Sequence, residues 1–294
     1  MNYGIPYKGS KNKIAENIIA QLPPAKHFYD LFGGGGAMTH CALLSGKYEF
    51  VHYNELNPLV FKAFKMALNG EFKGENRWIS REDFENLKDT DPYVACCYSF
   101  GNDFKTYAYG KNCELFKKAV HYSIVFDDNS LLNNYIDLSN FKYNSENIKE
   151  RRSELHSLLK KSKLNVEYGK PNQPVSQHQI WFERLQNLES INNCGVLLSN
   201  LSYEEVSIES DSVIYCDPPY VNTNTYLDEF DHEKFYLWLR SLKQQVFISE
   251  YQMPSDFYEV FSIKKRVLIN DKLNIQKLEK LFSNIPYVND PLSW

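Results

Sequence analysis

The chain has 294 residues and a formal net charge of −4, and 43% of its residues are hydrophobic. This length and composition exclude a disordered protein and predict a globular chain with a sizeable core. No apolar run is long enough to cross a bilayer and no signal-peptide pattern stands at the start, so we expect a cytoplasmic protein.

The six cysteines show none of the CxxC spacing that metal sites use. Cys96 and Cys97 are adjacent, which suits no ordinary disulfide, so we expect reduced thiols and no bound metal. The net charge argues mildly against nucleic-acid binding, but such binding needs only a local basic face. Basic residues cluster at 8–13, 151–163 and 264–266, where a solvated helix face or strand edge is the alternative interpretation.

The first predicted elements are a helix and a strand that runs into glycines. Ser10 is placed to cap an amphipathic helix that two prolines later stop. Residues 28–32 predict a strand, glycines fill positions 33–36, and an apolar run from Ala37 predicts a helix. Glycines allow positive φ and close approach of a ligand to the backbone. The arrangement therefore resembles a Rossmann-type nucleotide turn, with a flexible loop as the alternative.

The next predicted strand, residues 50–55, ends in an acid about 20 residues beyond the glycines. Glu55 at that place can hold the two hydroxyls of a ribose, whereas a plain surface acid is the alternative. Asn57 and Pro58 then predict the start of a helix that ends at residues 69–70.

Residues 73–191 differ in character from the rest of the chain. They are rich in Asn, Lys, Tyr and Ser and predict helices joined by long polar loops. Residues 100–110 interleave aromatic and polar side chains, which fits a loop that presents hydrogen-bonding groups to bases, or simply a packed loop. Beyond residue 191 we predict strands at 195–199, 212–216, 245–249 and 261–269 and a helix at 231–242. Alternating helices and nearly continuous apolar strands predict an α/β fold with a mainly parallel sheet covered on both faces.

The strand at 212–216 runs directly into Asp217-Pro218-Pro219-Tyr220. Proline fixes φ near −65° and donates no ladder hydrogen bond, so the sheet must stop there. The turn offers a carboxylate, an outward carbonyl and an aromatic ring, which together can bind a planar amine such as adenine N6. Taken alone, the tetrapeptide fits a plain strand-ending turn equally well.

Four motifs in chain order give the sequence a family resemblance. They are Tyr7-Lys8-Gly9-Ser10-Lys11, Asp30-Leu31-Phe32-Gly33-Gly34-Gly35, Glu55-Leu56-Asn57 and Asp217-Pro218-Pro219-Tyr220. The chain resembles S-adenosylmethionine-dependent DNA adenine-N6 methyltransferases of the Dam type, in the alpha group of the D12 class. Ser99-Phe100-Gly101-Asn102 looks more like phage and prophage members. The segment associated with GATC readers is lacking, so GATC specificity does not follow from the resemblance.

The resemblance implies a Rossmann-like methyltransferase sheet made by residues 1–72 and 192–294, with an inserted, mainly helical target-recognition domain at 73–191. It implies site-specific transfer of a methyl group to an adenine flipped out of double-stranded DNA, by direct displacement and without a metal. We leave open whether the enzyme is an orphan or has a cognate restriction endonuclease, and whether it is a monomer or a dimer. We expect it to work at the nucleoid.

By the same resemblance, Asp217 and the carbonyl of Pro218 accept the N6 hydrogens, and Tyr220 stacks on the flipped adenine, with Pro219 in the same catalytic turn. Lys11 is expected to pair with the methionine carboxylate of the cofactor, and Glu55 with its ribose hydroxyls.

The other expected cofactor contacts follow the motifs. Asp30 is expected at the cofactor's amino group or the neighbouring backbone, and Ser202 with Tyr203 at its adenine. The remaining members of the set are Tyr7, Phe32, Gly33, Gly35 and Asp217. For DNA binding, the basic stretches and the 100–110 loop give Lys8, Asn102, Lys105, Tyr107, Arg151 and Arg152.

Two other functions stay open at this point. One is methylation of RNA bases, or of a glutamine side chain where such a turn begins with Asn; Asp217 and the large polar insertion favour DNA instead. The other is a DNA-binding regulator that has lost catalysis, against which the intact Lys11, Asp217 and Tyr220 argue.

Overall fold

The structure is a computed structural model that describes residues 3–160, 162, 164–168, 178, 182–183, 185, 195–220, 230–270 and 273–287. Its helices in these ranges are α1 (Ala15–Gln21), α2 (Ala37–Ser45), α3 (Pro58–Leu68), α4 (Arg81–Leu87), α5 (Pro92–Cys97), α6 (Glu114–Phe126), α7 (Ile148–Leu159), α8 (Leu164–Glu167) and α9 (His232–Ser241). Its strands are β1 (Ala25–Asp30), β2 (Tyr48–Asn54), β3 (Gly195–Ser199), β4 (Ser212–Cys216), β5 (Gln245–Glu250), β6 (Tyr258–Asn270) and β7 (Leu273–Ser283).

The strands form one seven-stranded sheet in the order β3-β2-β1-β4-β5-β7-β6. The first five strands in this order, β3, β2, β1, β4 and β5, are parallel to one another, and β7 runs antiparallel to both of its neighbours. The strand order reverses between β1 and β4, whose carboxyl ends lie side by side with Asp30 opposite Tyr215. In sheets of this kind, ligands bind at such a reversal, outside the carboxyl ends of the strands. The predicted α/β, Rossmann-like class is confirmed.

A continuous apolar core holds α9 against the sheet. Phe235 and Leu239 of α9 are fully buried among Ile214, Val246 and Ile248 of β4 and β5. Burying one such side chain stabilises the fold by ~1.5–3 kcal/mol, so the helix face and the two strands fix each other. This packing fixes the position of β4, the strand that leads into residues 217–220.

Most predicted elements are found close to their expected places. Strands β3 and β4 have the predicted bounds, and α3 begins at Pro58 with the Asn57 side chain accepting from the backbone N–H groups of Leu59 and Val60. The predicted cap at Ser10 is wrong. Helix α1 begins only at Ala15, because residues 12–14 form a separate turn in which Ser10 Oγ accepts from Asn12 N.

The chain divides into two compact units. The first unit contains Met1–Gly4, Ser10–Phe61 and Asn187–Trp294, and the second contains Ile5–Gly9 and Lys62–Gln186. The second unit has its own apolar core, in which α6 packs on α7 through Phe116, Val120, Leu155 and Leu159. The assignment of residues 73–191 to DNA recognition stays a prediction.

The described part of the chain contains five cysteines, all with free thiols. It holds no group of three or more His, Cys, Asp or Glu side chains arranged to bind a metal ion. No helix in this part is both long enough and apolar enough to span a membrane.

Candidate active site

Four side chains of the first unit meet at the carboxyl end of β4, and we name them the Lys11 cluster: Lys11, Asp217, Tyr220 and Glu279. Lys11 Nζ lies 2.7 Å from Oδ1 and 2.6 Å from Oδ2 of Asp217, and 2.6 Å from the hydroxyl oxygen of Tyr220. It also lies 3.2 Å from Oε1 of Glu279, which accepts a hydrogen bond from the Tyr220 hydroxyl. Two of the residues predicted for catalysis therefore share one ammonium.

The exposure of the cluster is uneven. The side chains of Lys11 and Glu279 are 5% and 3% exposed, whereas that of Asp217 is 20% exposed. Strand β4 ends at Cys216, and the prolines that follow cannot donate to a neighbouring strand, so Asp217 comes to lie at the sheet edge. Asp217 is thus the carboxylate of the cluster that a molecule arriving from solvent can reach.

The cluster favours a charged lysine and a neutral tyrosine. Burial by itself lowers the pKa of Lys11, but the attraction of Asp217 and Glu279 outweighs it, and the pKa lies above its ordinary value. Burial and the same two carboxylates raise the pKa of Tyr220, which keeps the phenol protonated. The ring of Tyr220 also packs edge-on against Tyr251, with ring centroids 4.8 Å apart.

The glycine turn packs against β2. Gly33 N donates to Asn54 O at 2.8 Å, and a Cβ on Gly33 would lie 2.2 Å from the ring of Tyr53. The hydroxyl of Tyr53 in turn donates to Gly34 O at 2.7 Å. The contact with Tyr53 is therefore sufficient reason for glycine at position 33, apart from any ligand.

The two acids expected at the cofactor lie where β1 and β2 end. Asp30 is 1% exposed, and its Oδ2 accepts from Thr39 N at 3.1 Å and Thr39 Oγ1 at 2.7 Å. Burial raises the pKa of Asp30 to about 7, against the two bonds from Thr39, which lower it. Glu55 accepts from Gly34 N and Asn57 N, each at 2.8 Å. Burial raises the pKa of Glu55, and these bonds oppose it.

Two other predicted residues, Phe32 and Tyr203, contact each other. Their rings stack with centroids 5.5 Å apart and planes inclined by 29°, and Phe235 packs edge-on against both. Ser202 begins the short turn that carries Tyr203, and its backbone N–H donates to Glu205 Oε2 at 3.0 Å. The half-buried pair forms an aromatic wall next to the glycine turn.

Sequence reasoning missed Asn54 and Glu279. The amide of Asn54 bonds to Leu31 O at 3.1 Å, to Leu201 O and N at 3.0 and 3.1 Å, and to Ser199 Oγ at 2.7 Å, tying the ends of β1, β2 and β3. For Asn54, the signal available in the sequence was a polar residue at the end of an apolar strand. For Glu279, which lies in β7 outside every recognised motif, the sequence offered none.

In the second unit, the loop predicted to bind DNA is held by its backbone. Lys8 N donates to Asn102 O at 3.0 Å, and the side-chain amide of Asn102 donates to Cys96 O at 3.1 Å. Tyr7 packs edge-on against Phe104, with centroids 5.8 Å apart. The side chains of Lys8 and Lys105 are exposed.

Two of the residues predicted to bind DNA lie in the packing of the second unit instead. Tyr107 is 5% exposed, and its hydroxyl donates to Ile79 O at 2.8 Å. The side chain of Arg151 is 12% exposed, and its Nε donates to Ser145 O at 2.8 Å while the guanidinium lies 5.5 Å from the ring of Tyr143. Tyr107 and the largely buried Arg151 are thus held in this packing, and their contact with DNA stays a prediction. Arg152 is half-buried, and Lys161 and Lys163 lie outside the described residues.

Comparison with known proteins shows which family the chain resembles. The model of the D12 class N6 adenine-specific DNA methyltransferase family matches residues 7–237. The Type II methyltransferase M.MjaIII of Methanocaldococcus jannaschii is 24% identical in an alignment that covers 90% of each chain. The matched family region contains Lys11, Asp217 and Tyr220, and it ends before Glu279.

Proposed function

The chain belongs to the D12 class N6 adenine-specific DNA methyltransferases, and from this premise we propose how its own residues perform the reaction. It is an enzyme that transfers a methyl group from S-adenosylmethionine to the N6 atom of adenine in DNA. The observation that carries the assignment of the residues is the Lys11 cluster. It presents one partly exposed carboxylate, Asp217, against a buried ammonium and beside an aromatic ring.

Adenine N6 is a weak nucleophile because its lone pair is conjugated with the ring. Acceptors for its two hydrogens localise the lone pair, and we assign these roles to the Asp217 carboxylate and the Pro218 carbonyl. Tyr220 stacks on the base, a contact worth ~1–3 kcal/mol. The base must leave the duplex, since N6 cannot be reached inside it. Catalysis then comes from position and fixed charges, without a covalent enzyme intermediate.

The residues at the strand ends suit the cofactor. S-adenosylmethionine supplies an electrophilic methyl group on a sulfonium. Glu55 is a carboxylate for ribose hydroxyls, and the stacked Phe32 and Tyr203 offer an apolar wall to a planar base, with Ser202 at its edge. Asp30 ends β1, and Gly33 and Gly35 lie in the turn that follows it.

We assign Lys11 a different role from the expected pairing with the methionine carboxylate. That pairing would require the ammonium to leave two carboxylates that already hold it. Lys11 instead orients Asp217 and keeps its negative charge compensated until the substrate arrives.

The second unit is proposed to read the DNA. Lys8, Asn102 and Lys105 remain the residues assigned to DNA contact, and the half-buried Arg152, in the first half of α7, is a weaker member of the set. The type II name of the archaeal relative favours a modification enzyme paired with an endonuclease of the same target site. A phage origin and the oligomeric state stay predictions.

Methylation-sensitive long-read sequencing tests the proposal directly. DNA from cells that express the chain should carry N6-methyladenine at one short motif, and DNA from cells that express Asp217→Ala should carry none. Methylation at that motif by both proteins would contradict the role of Asp217. If neither protein methylates DNA but the wild type methylates RNA, the acceptor in our proposal is wrong.

A further inference from the structure

Glu279 is a buried acid that no motif accounts for. It lies in β7, opposite Ile263 of β6, and it is 3% exposed. The residues matched by the family end at 237, well before this strand. A buried carboxylate is costly unless it is paired, so a reason for its retention has to be found in its contacts.

Its contacts form a directed chain of hydrogen bonds. Lys11 Nζ donates to the Tyr220 hydroxyl at 2.6 Å, and the hydroxyl donates onward to Glu279. The same carboxylate lies 3.2 Å from Lys11 Nζ, so one ammonium stands between two carboxylates, Asp217 and Glu279. Glu279 thus fixes the hydroxyl at the tip of the ring and competes with Asp217 for the lysine.

We propose that Glu279 is a positioning residue for methyl transfer, an inference that rests on the proposed roles of Asp217 and Tyr220. By anchoring the Tyr220 hydroxyl, it sets the plane in which the ring meets the adenine. It also shares the ammonium of Lys11 with Asp217, whose two carboxylate oxygens lie 2.7 and 2.6 Å from Lys11 Nζ. Without Glu279 the Tyr220 hydroxyl loses its acceptor, and the ring is no longer held in this plane.

The test compares Glu279→Gln with Glu259→Gln. Glu259 is an acid of the same hairpin that pairs with Lys280 at 2.7 Å, but on the exposed surface. Single-turnover transfer from tritiated S-adenosylmethionine to unmethylated genomic DNA is measured, with cofactor affinity and the thermal unfolding midpoint as companions. Glu279→Gln should slow transfer ~10- to 100-fold, the usual range for loss of a hydrogen bond to a charged group, with cofactor affinity unchanged. Glu259→Gln should match the wild type.

Two further variants keep the test decisive. Glu279→Asp retains the charge on a shorter side chain, and it should recover part of the rate even if Glu279→Gln folds poorly. In a double-mutant cycle, Tyr220→Phe with Glu279→Gln should lose less than the sum of the single losses, because the two side chains act through one bond.

The inference is overturned if Glu279→Gln transfers methyl groups as fast as Glu259→Gln, or if its rate falls only in step with unfolding and cofactor loss. An additive cycle would overturn the path through Tyr220. Asp217→Ala separates this failure from failure of the proposed function. If Asp217→Ala still transfers methyl groups, the proposed function fails and the inference fails with it. If Asp217→Ala is inactive while Glu279→Gln is fully active, only the inference fails.

Discussion

The Lys11 cluster of the first unit and the loop at residues 99–107 of the second unit hold their polar groups in opposite ways. In the cluster, charged side chains are buried and fixed by one another, as in the contact of Lys11 with both oxygens of Asp217. In the loop, the backbone is fixed and some side chains project, while Ser99, Phe104 and Tyr107 are buried. Phe100 is 67% exposed, and Lys105 is exposed beside it.

The backbone of this loop is held in unusual conformations. Asn102 and Phe104 have positive φ values of 57° and 62°, which cost free energy in residues other than glycine. Internal bonds compensate: Phe104 N donates to Ser99 Oγ at 3.0 Å, and Asp103 Oδ1 accepts from Lys105 N and Thr106 N at 2.9 Å each. A reaction common to a family needs side chains in fixed positions. A loop proposed to read DNA needs instead a fixed backbone, on which the side chains can differ from one member to another.

The largest effect should come from Asp217→Ala, which tests whether the cluster is built for chemistry more than for stability. Lys11 keeps Glu279 as its counter-ion, so the fold should survive, while methyl transfer should fall ~10³-fold, as for loss of one preorganised group. Transfer of tritiated methyl groups and cofactor affinity are measured together. Asp256→Ala, which removes an exposed acid paired with Arg240, is the control. Transfer at the rate of Asp256→Ala would contradict the assignment, and transfer lost only through weaker cofactor binding would make Asp217 a cofactor ligand instead.

Gly33→Ala should cost ~1–3 kcal/mol in the free energy of unfolding, the usual cost of overpacking. The added Cβ would meet Tyr53, which is fully buried and cannot turn away while its hydroxyl bonds to Gly34. Gly110→Ala is the matched control, because the nearest atom to its Cβ is Cys113 Sγ at 3.9 Å. Urea unfolding of both variants gives the comparison, and equal midpoints would show that the turn in the first unit is looser than described.

Asp103→Ala should act on DNA binding and spare the chemistry. Removing the two hydrogen bonds from Lys105 N and Thr106 N loosens the backbone of the loop. We therefore expect KM for DNA to rise ~5- to 10-fold with kcat unchanged. Asp137→Ala removes a similar bond to Ser139 N elsewhere in the second unit and should leave KM unchanged. A fall in kcat alone would mean that the loop serves catalysis.

The smallest effect expected is on the salt dependence of DNA binding. Lys105→Ala should reduce the slope of log affinity against log salt by ~1, as for one lost phosphate contact. Arg151→Ala should leave the slope unchanged and lower the unfolding midpoint, because Arg151 bonds to Ser145 and packs on Tyr143. Fluorescence anisotropy with a duplex of the sequenced motif measures both. The opposite pattern would return Arg151 to the DNA-binding face.

Local signals made the parallel strands and the turn after β4 predictable, whereas the strand β7 was not predicted. Apolar runs gave β3 and β4 their bounds, and the proline pair after Asp217 marked the end of its strand. Pairing over distance was not predictable. Lys11 and Asp217 are 206 residues apart, and nothing near either residue indicates the other. Whether an arginine faces solvent or lies over a tyrosine, as Arg151 does, likewise depends on tertiary packing that composition does not encode.

The position of β7 also determines when the Lys11 cluster is completed during synthesis of the chain. Strand β7 follows β6 in the chain yet inserts between β5 and β6, and it is the last of the described strands to be translated. Lys11 is translated early and Asp217 much later, and the hairpin that contains Glu279 leaves the ribosome after both of them. With the role proposed for Glu279, a nascent chain that has already formed its parallel strands has an incomplete Lys11 cluster, and the full rate of methyl transfer comes only after that hairpin has folded.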